Sequence, residues 1–177
     1  MTKLLIKRFI KDYENTQNSD VRTAYGKFSS TVGIVCNAIL FISKLIVGTL
    51  SASVSITADA VNNLSDASSS IISLLGFKLA SRPADEEHPY GHGRYEYLSG
   101  LMVAVLIMVI GVELFKSSLD KVLHPSAVEF SWVTVGVLVF SILLKTWMAL
   151  FNTKTGKMIN SNTLIATAAD SRNDVIT

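Results

Sequence analysis

The chain has 177 residues, of which 49% are hydrophobic and 17% are charged, and its mean hydropathy is +0.41. An average soluble domain carries about 25% charged residues, and the apolar residues here stand in blocks, so the composition excludes an ordinary soluble domain and predicts membrane spans. The net charge is only +2, so the placement of the cations is more informative than their sum. The single cysteine, Cys36, excludes an intrachain disulfide and is predicted to be a small packing residue.

The first 27 residues are predicted to form a cytoplasmic N-terminal segment. Lysine and arginine alternate with apolar residues up to Lys11, and the sequence is polar after that. No apolar core with a small-residue cleavage site precedes the first long hydrophobic run, so we expect no cleaved signal peptide. Two interpretations stay open: a basic amphipathic helix on an anionic membrane surface, or a positively charged tail that fixes the topology. The residues concerned are Leu4, Leu5, Phe9 and Ile10 with Lys3, Lys7, Arg8 and Lys11.

Residues 28–177 are predicted to form one transmembrane domain. Hydrophobic runs long enough to cross a bilayer predict four complete spans, at about 28–50, 53–80, 95–122 and 131–151. A fifth helix begins near Asn160, but the chain stops at Thr177, before this helix reaches the ~20 residues that a span needs. We therefore expect the natural protein to be longer. The predicted fold class is an all-α membrane protein, a transmembrane helix bundle of four complete spans and the start of a fifth.

Two polar loops separate the predicted spans. The first, residues 81–94, contains two prolines and two glycines and is predicted to be non-helical, and the second covers residues 152–162. A further short connection, residues 126–130, follows His124-Pro125. Basic residues gather before the first span and around the two polar loops, and such residues stay on the cytoplasmic side of a membrane. We therefore expect the N-terminus and both polar loops to lie in the cytoplasm.

A polar stripe interrupts the second predicted span. Its spacing, i, i+3, i+4, i+7, places the side chains on one face of a helix, and its members are Asp59, Asn62, Asn63 and Asp66. On the fifth helix, Asp170 and Asp174 repeat the i, i+4 spacing of the Asn62 and Asp66 pair. Two facing pairs would form a cage of four oxygen ligands, which suits a hard cation such as Mg²⁺, Ca²⁺ or Mn²⁺. Repulsion between the carboxylates makes an empty cage attract protons, which would couple cation entry to proton exit.

The same polar side chains have a second interpretation, in which they hold the helices together. Carboxylates at bilayer depth are expensive unless they face protein, water or a cation, and Arg172 and Lys145 are possible partners for interhelical salt bridges. For two members of the stripe, a separate pair of interpretations stays open. Asp59 and Asn63 are predicted either to line the entrance of the cation site or to be packing partners.

The first polar loop contains a second cluster of possible ligands. It follows the pattern Asp-x2-His-x3-His and consists of Asp85, His88 and His92. Carboxylate and imidazole ligands at this spacing can hold a transition metal. Histidines are common in loops, so the pattern by itself indicates only a possible second metal site.

Three motifs resemble those of the cation diffusion facilitator family and occur in the family's order. They are ADAVNNLSD at residues 58–66, RPAD at residues 82–85 and HPYGHGRYE at residues 88–96. The resemblance covers the chain from the first span to its end. It implies a six-span, dimeric antiporter that exports divalent metal from the cytoplasm in exchange for protons and usually carries a cytoplasmic C-terminal domain. Span six and that domain are absent from this sequence.

The resemblance also implies which residues bind the metal. The four transport-site ligands match Asn62, Asp66, Asp170 and Asp174, and a loop site found in some members matches Asp85, His88 and His92. Zinc-transporting members have His-x3-Asp on span five, whereas this chain has Asp-x3-Asp, which is the manganese-type pattern. Ligands without imidazole independently favour an ion harder than Zn²⁺. We therefore predict transported Mn²⁺, with Zn²⁺, Fe²⁺ or Co²⁺ as alternatives and no further cofactor.

The remaining expectations concern partners and other classes of function. We expect a multi-pass protein of the bacterial cell membrane, with lipid, divalent cations and protons as partners, a homodimeric full-length form and no nucleic acid. An intramembrane metalloenzyme is disfavoured, because the predicted spans contain no histidine and the chain has no His-Glu-x-x-His pair. A membrane metal sensor or scaffold that binds ions without moving them stays open as an alternative.

Overall fold

The computed structural model describes residues 2–10, 12–51, 53–123 and 132–176, and these residues contain six helices and no strand. In chain order the helices are α1 (Thr2–Phe9), α2 (Ser19–Leu50), α3 (Val54–Ala80), α4 (Arg94–Leu123), α5 (Trp132–Met158) and α6 (Asn162–Ile176). The predicted all-α class is therefore confirmed for these residues. The connection predicted at residues 126–130, with His124-Pro125 before it, lies outside the described residues.

The N-terminal helix α1 packs one of its faces against the bundle. Ile6 and Ile10 are buried in an apolar cluster with Val21, Tyr25, Phe77, Ile159 and Leu164. Phe9 stacks on Phe28, with ring centroids 5.1 Å apart, although it stays 66% exposed. The predicted short amphipathic helix is thus present, and part of its apolar face contacts the protein itself. Its contact with an anionic membrane surface stays a prediction.

Helices α2 and α3 form a hairpin with close helix packing. α2 begins earlier than the predicted first span, because the Asn18 side chain caps it by accepting a hydrogen bond from the Asp20 N–H at 2.8 Å. The Ser53 side chain caps α3 in the same way. A Cβ added at Gly33 would lie 2.7 Å from the Ser70 hydroxyl oxygen, so glycine is needed there for the two helices to approach this closely.

The second polar loop is shorter than predicted. Residues 152–158, which were predicted to belong to it, continue α5, and only residues 159–161 separate α5 from α6. These residues are polar but contain no proline, and the Thr155 hydroxyl donates to the Phe151 carbonyl at 2.9 Å within the helix. Gly156 lets the end of α5 pack closely on the start of α6. The prediction of a loop was therefore wrong for this segment, because polar residues at the end of a bundle helix can prolong it.

The start of α2, the start of α4 and the α5–α6 turn meet at one end of the bundle. The Arg22 guanidinium donates to the Ile159 carbonyl at 2.8 Å and forms an ion pair with buried Glu96 at 2.9 Å. The Thr163 hydroxyl of α6 donates to the Glu96 carbonyl at 2.9 Å. The first polar loop, confirmed as non-helical over residues 81–93, leads into α4 at this same end. The N-terminal segment and both connections therefore share one end, and the assignment of that end to the cytoplasm stays a prediction.

Three helices are long and apolar enough to cross a membrane. They are α2, residues Arg94–Glu113 of α4, and α5, each with a mean hydropathy of 2.0. Among the described helices, α3 does not reach this standard, because its serines and its polar stripe lower its hydropathy, and α6 has 15 residues. A helical membrane protein is thus supported. The predicted count of four complete spans and the start of a fifth is not confirmed.

Candidate metal sites

The polar stripe of α3 is more deeply buried at Asn63 and Asp66 than at its other two residues. Asp59 and Asn62 are half-buried, whereas Asn63 is 1% exposed and Asp66 is 2% exposed. The i, i+3, i+4, i+7 spacing keeps all four on one helical face, as predicted. Asn63 and Asp66 are therefore the two members of the stripe that lie fully inside the bundle.

Two carboxylates of α6 meet Asp66 inside the bundle. Asp170 and Asp174 lie one helical turn apart, and one oxygen of each of these three carboxylates lies within 4.8 Å of the other two. Asp170 is 8% exposed and Asp174 is half-buried. We call Asp66, Asp170 and Asp174 the carboxylate cluster. Asn62, the fourth predicted ligand, lies one turn before Asp66 on the same face of α3.

A lysine of α5 forms ion pairs with two members of the carboxylate cluster. The Lys145 Nζ lies 2.6 Å from Oδ2 of Asp66 and 2.6 Å from Oδ2 of Asp174, and the residue is 4% exposed. Charge-assisted hydrogen bonds of this kind are about twice as strong as neutral ones. The interhelical salt bridge that was considered as the second interpretation is thus present with Lys145, whereas Arg172 is exposed.

A second buried lysine pairs with the first residue of the stripe. Lys44 of α2 is 5% exposed, and its Nζ lies 2.8 Å from Oδ2 of Asp59. The Asn63 side-chain amide donates to the Asp59 backbone carbonyl at 2.9 Å. Asp59 therefore lies in an ion pair, two helical turns from Asp66. This contact agrees with the packing interpretation, and a role for Asp59 or Asn63 at the entrance stays a prediction.

The interior of the bundle is polar around these ion pairs. Several buried side-chain oxygens have no hydrogen-bond partner in the part of the chain that the structure describes; they belong to Ser30, Asn37, Asn63, Ser69, Ser70, Ser141 and Asn152. Buried polar atoms are nearly always hydrogen-bonded, to water where the protein supplies no partner. The interior between α2, α3 and α5 is therefore suited to water or to a partly hydrated ion.

The cluster predicted in the first polar loop is also assembled. One carboxylate oxygen of Asp85 and one ring nitrogen each of His88 and His92 lie within 4.8 Å of one another. The Asp85 carboxylate lies 3.1 Å from Nδ1 of His88 and 3.4 Å from Nε2 of His92. We call these three residues the loop cluster. Asp85 is exposed and His92 is buried, so the cluster is accessible from one side.

Hydrogen bonds prepare the loop cluster for a ligand role. Nδ1 of His92 lies 3.0 Å from the Pro83 carbonyl, which can only accept, so Nδ1 carries a hydrogen and Nε2 is the ring nitrogen that is left to bind a metal. Burial acts to raise the pKa of the Asp85 carboxyl. Hydrogen bonds from the His88 N–H and ring, with the charges of His92 and His88, outweigh this effect and hold that pKa below its usual value. Asp85 is therefore an anionic group at neutral pH.

Two ion pairs were not predicted from the sequence. Lys44 and Asp59 could have been paired, because charged residues in neighbouring membrane helices are rare and usually pair with one another. The pair of Arg22 and Glu96 joins residues that are 74 positions apart, and no spacing relates them. Its role is to fix the start of α2 against the start of α4.

The described residues thus define a helical membrane protein with a buried acidic cluster between its helices. Residues 30–177, which are most of the chain, match the family model for the cation efflux transmembrane domain. The chain therefore belongs to the cation efflux family, also called the cation diffusion facilitator family. The resemblance of its motifs to this family is confirmed.

Individual relatives support the same family. An uncharacterized transporter from Methanocaldococcus jannaschii is 35% identical over 145 residues, which cover 82% of this chain and 51% of that protein. Manganese efflux system protein MneS from Bacillus subtilis is 30% identical over 154 residues, which cover 84% of this chain and 51% of MneS. Manganese efflux system protein MneP from the same organism is 28% identical over 146 residues, 82% of this chain and 48% of MneP. The chain spans about half the length of the curated relatives it matches.

Proposed function

We propose that this protein, at full length, is a divalent cation/proton antiporter that exports Mn²⁺ from the cytoplasm. The observation that carries the proposal is the carboxylate cluster, in which α3 and α6 bring three carboxylates within 4.8 Å of one another inside a cation efflux domain. Carboxylates in a membrane bundle are costly unless another charge balances them. Lys145 supplies one positive charge for three carboxylates, so a divalent cation is suited to balance the cluster, and its transport accounts for carboxylates on two separate helices better than packing alone does.

The proposed ligands are four oxygen-bearing side chains: Asn62, Asp66, Asp170 and Asp174. Asn62 would add its amide oxygen from one turn before Asp66 on α3. Oxygen ligands without imidazole or thiolate suit Mn²⁺ better than Zn²⁺, whose sites favour nitrogen and sulfur. The names of MneS and MneP, both manganese efflux system proteins, support the same metal. Zn²⁺, Fe²⁺ and Co²⁺ are the alternatives.

In the proposed cycle, the cation enters from the cytoplasm and binds between α3 and α6. It leaves on the other side as these helices move relative to each other, and protons then take its place on the carboxylates. The polar interior of the bundle would provide the path. We also propose that the protein lies in the bacterial plasma membrane with its N-terminus in the cytoplasm, and that it works as a homodimer.

Proton-driven Mn²⁺ uptake by proteoliposomes tests the proposal. The full-length protein is compared with Asp174→Asn in the carboxylate cluster and with Asp20→Asn, the same chemical change at an exposed position at the start of α2. We expect Mn²⁺ flux that Asp174→Asn abolishes and Asp20→Asn leaves unchanged. No Mn²⁺ flux in the wild type, or flux that Asp174→Asn does not change, would contradict the proposal.

The same assay separates the alternatives. Flux of Zn²⁺, Fe²⁺ or Co²⁺ without Mn²⁺ flux would keep the antiporter and replace its metal. Mn²⁺ binding without counterflow would favour a membrane metal sensor or scaffold, which is the alternative of another class. Neither outcome requires an enzymatic role, in agreement with a family of transporters.

We further propose that the loop cluster is a second metal site with a different preference. Its ligands would be Asp85, His88 and His92, whose ligand atoms lie within 4.8 Å of one another. Two imidazoles shift the preference toward Zn²⁺ and other transition metals. Zn²⁺ titration of the purified protein, with and without His88→Ala, tests this site. Unchanged Zn²⁺ affinity in the variant would contradict it.

A further inference from the structure

Lys145 lies where the proposed cargo would bind. Its Nζ is 2.6 Å from Oδ2 of Asp66 and 2.6 Å from Oδ2 of Asp174. Divalent cations bind carboxylate oxygens at about 2.0–2.6 Å. The ammonium and the ion would thus contact the same two oxygens at similar distances. Both cannot occupy these oxygens together without a like-charge contact inside the bundle.

We propose that Lys145 is a tethered competing cation. It holds Asp66 and Asp174 when no divalent ion is bound, and its ammonium leaves these oxygens when the ion binds. This inference rests on the proposed function and makes Lys145 a residue that determines specificity, not a ligand. Lysine suits the task, because its ammonium is a point charge on a flexible stem and can move away by changes of rotamer.

The burial of the ion pairs distinguishes them from a surface salt bridge. The side chains of Lys145 and Asp66 are 5% and 3% exposed, and that of Asp174 is 16% exposed. Carboxylates this close repel one another strongly where water is scarce. An ammonium between two of them lowers this repulsion. The helices can therefore keep their packing in the part of the cycle in which the site carries no cargo.

The competition also selects by charge. A monovalent ion such as Na⁺ brings no more charge than the ammonium that it would replace, so it gains nothing by displacing a tethered competitor. A divalent ion brings twice the charge to the same oxygens, and its Coulomb attraction is correspondingly larger. Because every cation has to displace the same ammonium, Lys145 weakens the binding of all cations by the same factor. A monovalent ion, which is attracted less strongly to these oxygens, then keeps little net affinity, whereas a divalent ion still binds.

The chain contains a matched control for this residue. Lys44 is also a buried lysine paired with a carboxylate of α3, but its partner Asp59 lies outside the carboxylate cluster. Removing Lys44 changes the charge of the bundle by the same amount as removing Lys145. Only the second change takes a competitor away from the proposed ligands.

Mn²⁺ binding to the purified full-length protein, measured by calorimetry at low and at high Na⁺, tests the proposal. We expect Lys145→Met and Lys145→Gln to bind Mn²⁺ at least about tenfold more tightly than the wild type. The interaction energy between close buried charges is larger than the free energy that a tenfold change in affinity requires. We also expect high Na⁺ to compete with Mn²⁺ more strongly in these two variants. Lys145→Arg, which keeps the charge, and Lys44→Met should bind Mn²⁺ no more tightly than the wild type.

A structural role for Lys145 predicts the opposite sign. Weaker or unchanged Mn²⁺ binding by folded Lys145→Met would overturn the proposal. If both neutral variants aggregate, Mn²⁺ present throughout purification should restore a monodisperse protein, because the ion replaces the missing charge, and failure of this rescue would overturn the proposal as well. One combination of results separates the two proposals. If the wild type binds Mn²⁺, Asp170→Asn does not bind it, and Lys145→Met binds it no more tightly than the wild type, this inference fails and the proposed function stands. If neither the wild type nor any Lys145 variant binds Mn²⁺, the proposed function fails with it.

Discussion

The carboxylate cluster and the loop cluster of this protein differ in what holds them in place. The carboxylate cluster is built from two helices, contains only oxygen ligands, and is partly balanced by Lys145. The loop cluster is built from one irregular loop, contains two imidazoles, and has an exposed carboxylate at Asp85. In the first cluster, the distance between the ligands of α3 and those of α6 depends on how these helices lie relative to each other. The second can adapt by local motion of the loop, without any change in the bundle.

This difference indicates separate tasks for the two clusters. A site between helices α3 and α6 can couple ion binding to movement of the bundle, as alternating access requires. A site within one loop can capture an ion near the end of the bundle, but its ligands do not connect two helices, so ion binding there does not move one helix relative to another. Four substitutions test this division, and they are given in order of decreasing expected effect.

The largest effect is expected for Asp66→Asn. It removes a proposed ligand and leaves the buried Lys145 ammonium with one fewer partner, and breaking a buried ion pair destabilises proteins by about 3–5 kcal/mol. We expect loss of Mn²⁺ transport and a clearly lower melting temperature of the purified protein. Asp85→Asn makes the same chemical change in the exposed loop and should leave the melting temperature nearly unchanged. Equal melting temperatures for both variants would contradict the division.

A change of metal is expected for Asp170→His. The variant introduces an imidazole among oxygen ligands and should change the ratio of Zn²⁺ to Mn²⁺ affinity by about tenfold or more in favour of Zn²⁺. Calorimetric titration with both metals measures this ratio. Asp170→Asn is the control, since it also removes a charge but adds no imidazole, and it should weaken both metals alike. A Zn²⁺ preference that appears in both variants, or in neither, would remove Asp170 from the proposed ligands.

A separable effect is expected for His92→Ala in the loop cluster. Loss of its Nε2 ligand should lower the affinity of the loop cluster for Zn²⁺ about tenfold or more, because even the loss of a hydrogen-bond partner of a metal ligand commonly lowers metal affinity by that much. Mn²⁺ transport should stay within about twofold of the wild type, because the loop cluster is apart from the carboxylate cluster. Tyr90→Ala changes a fully exposed residue of the same loop and should alter neither quantity. A transport loss as large as that of Asp66→Asn would show that the two clusters act as one.

The smallest effect is expected for Lys44→Met. Its partner Asp59 has a side chain that is 39% exposed, so after the loss of the ammonium its carboxylate can still reach polar surroundings. We expect destabilisation of about 1 kcal/mol or less, measured as a small decrease in melting temperature. A decrease as large as that for Asp66→Asn would mean that the Lys44 and Asp59 pair is as important to the bundle as the Lys145 pairs.

The positions of the clusters could be predicted because helical geometry is local. The i, i+4 spacing of Asp170 and Asp174 places both side chains on one face of any α-helix, whatever surrounds it. The pattern of Asp85, His88 and His92 spans only eight residues, so the loop cannot carry its members far apart. Periodicity and short separation therefore predicted which residues are neighbours within each segment. That α3 and α6 bring their carboxylates together was implied by the resemblance to the family and does not follow from spacing.

The partners of the lysines could not be fixed in this way. Lys145 could be considered for a salt bridge with the carboxylates, but its choice of Asp66 and Asp174 depends on how α5 packs against α6 and on where both helices lie relative to α3. The helical extent of residues 152–158 was also missed, because their polar composition suits a loop as well as the end of a helix. For the lysines the deciding contacts join distant parts of the chain, and spacing along the sequence carries no information about them.

The two buried lysines also differ in the moment at which they can act during synthesis. Lys44 and Asp59 belong to consecutive helices, so they can pair as soon as the α2–α3 hairpin has left the ribosome. Asp66 has to wait for Lys145, which is made 79 residues later. During that interval the insertion machinery has to accommodate a helix with an unneutralised carboxylate, and the strongly apolar α2 is the neighbour that can carry it into the bilayer. The order in which the helices are made therefore places a demand on biogenesis at Asp66, which is also a proposed ligand of the transport site.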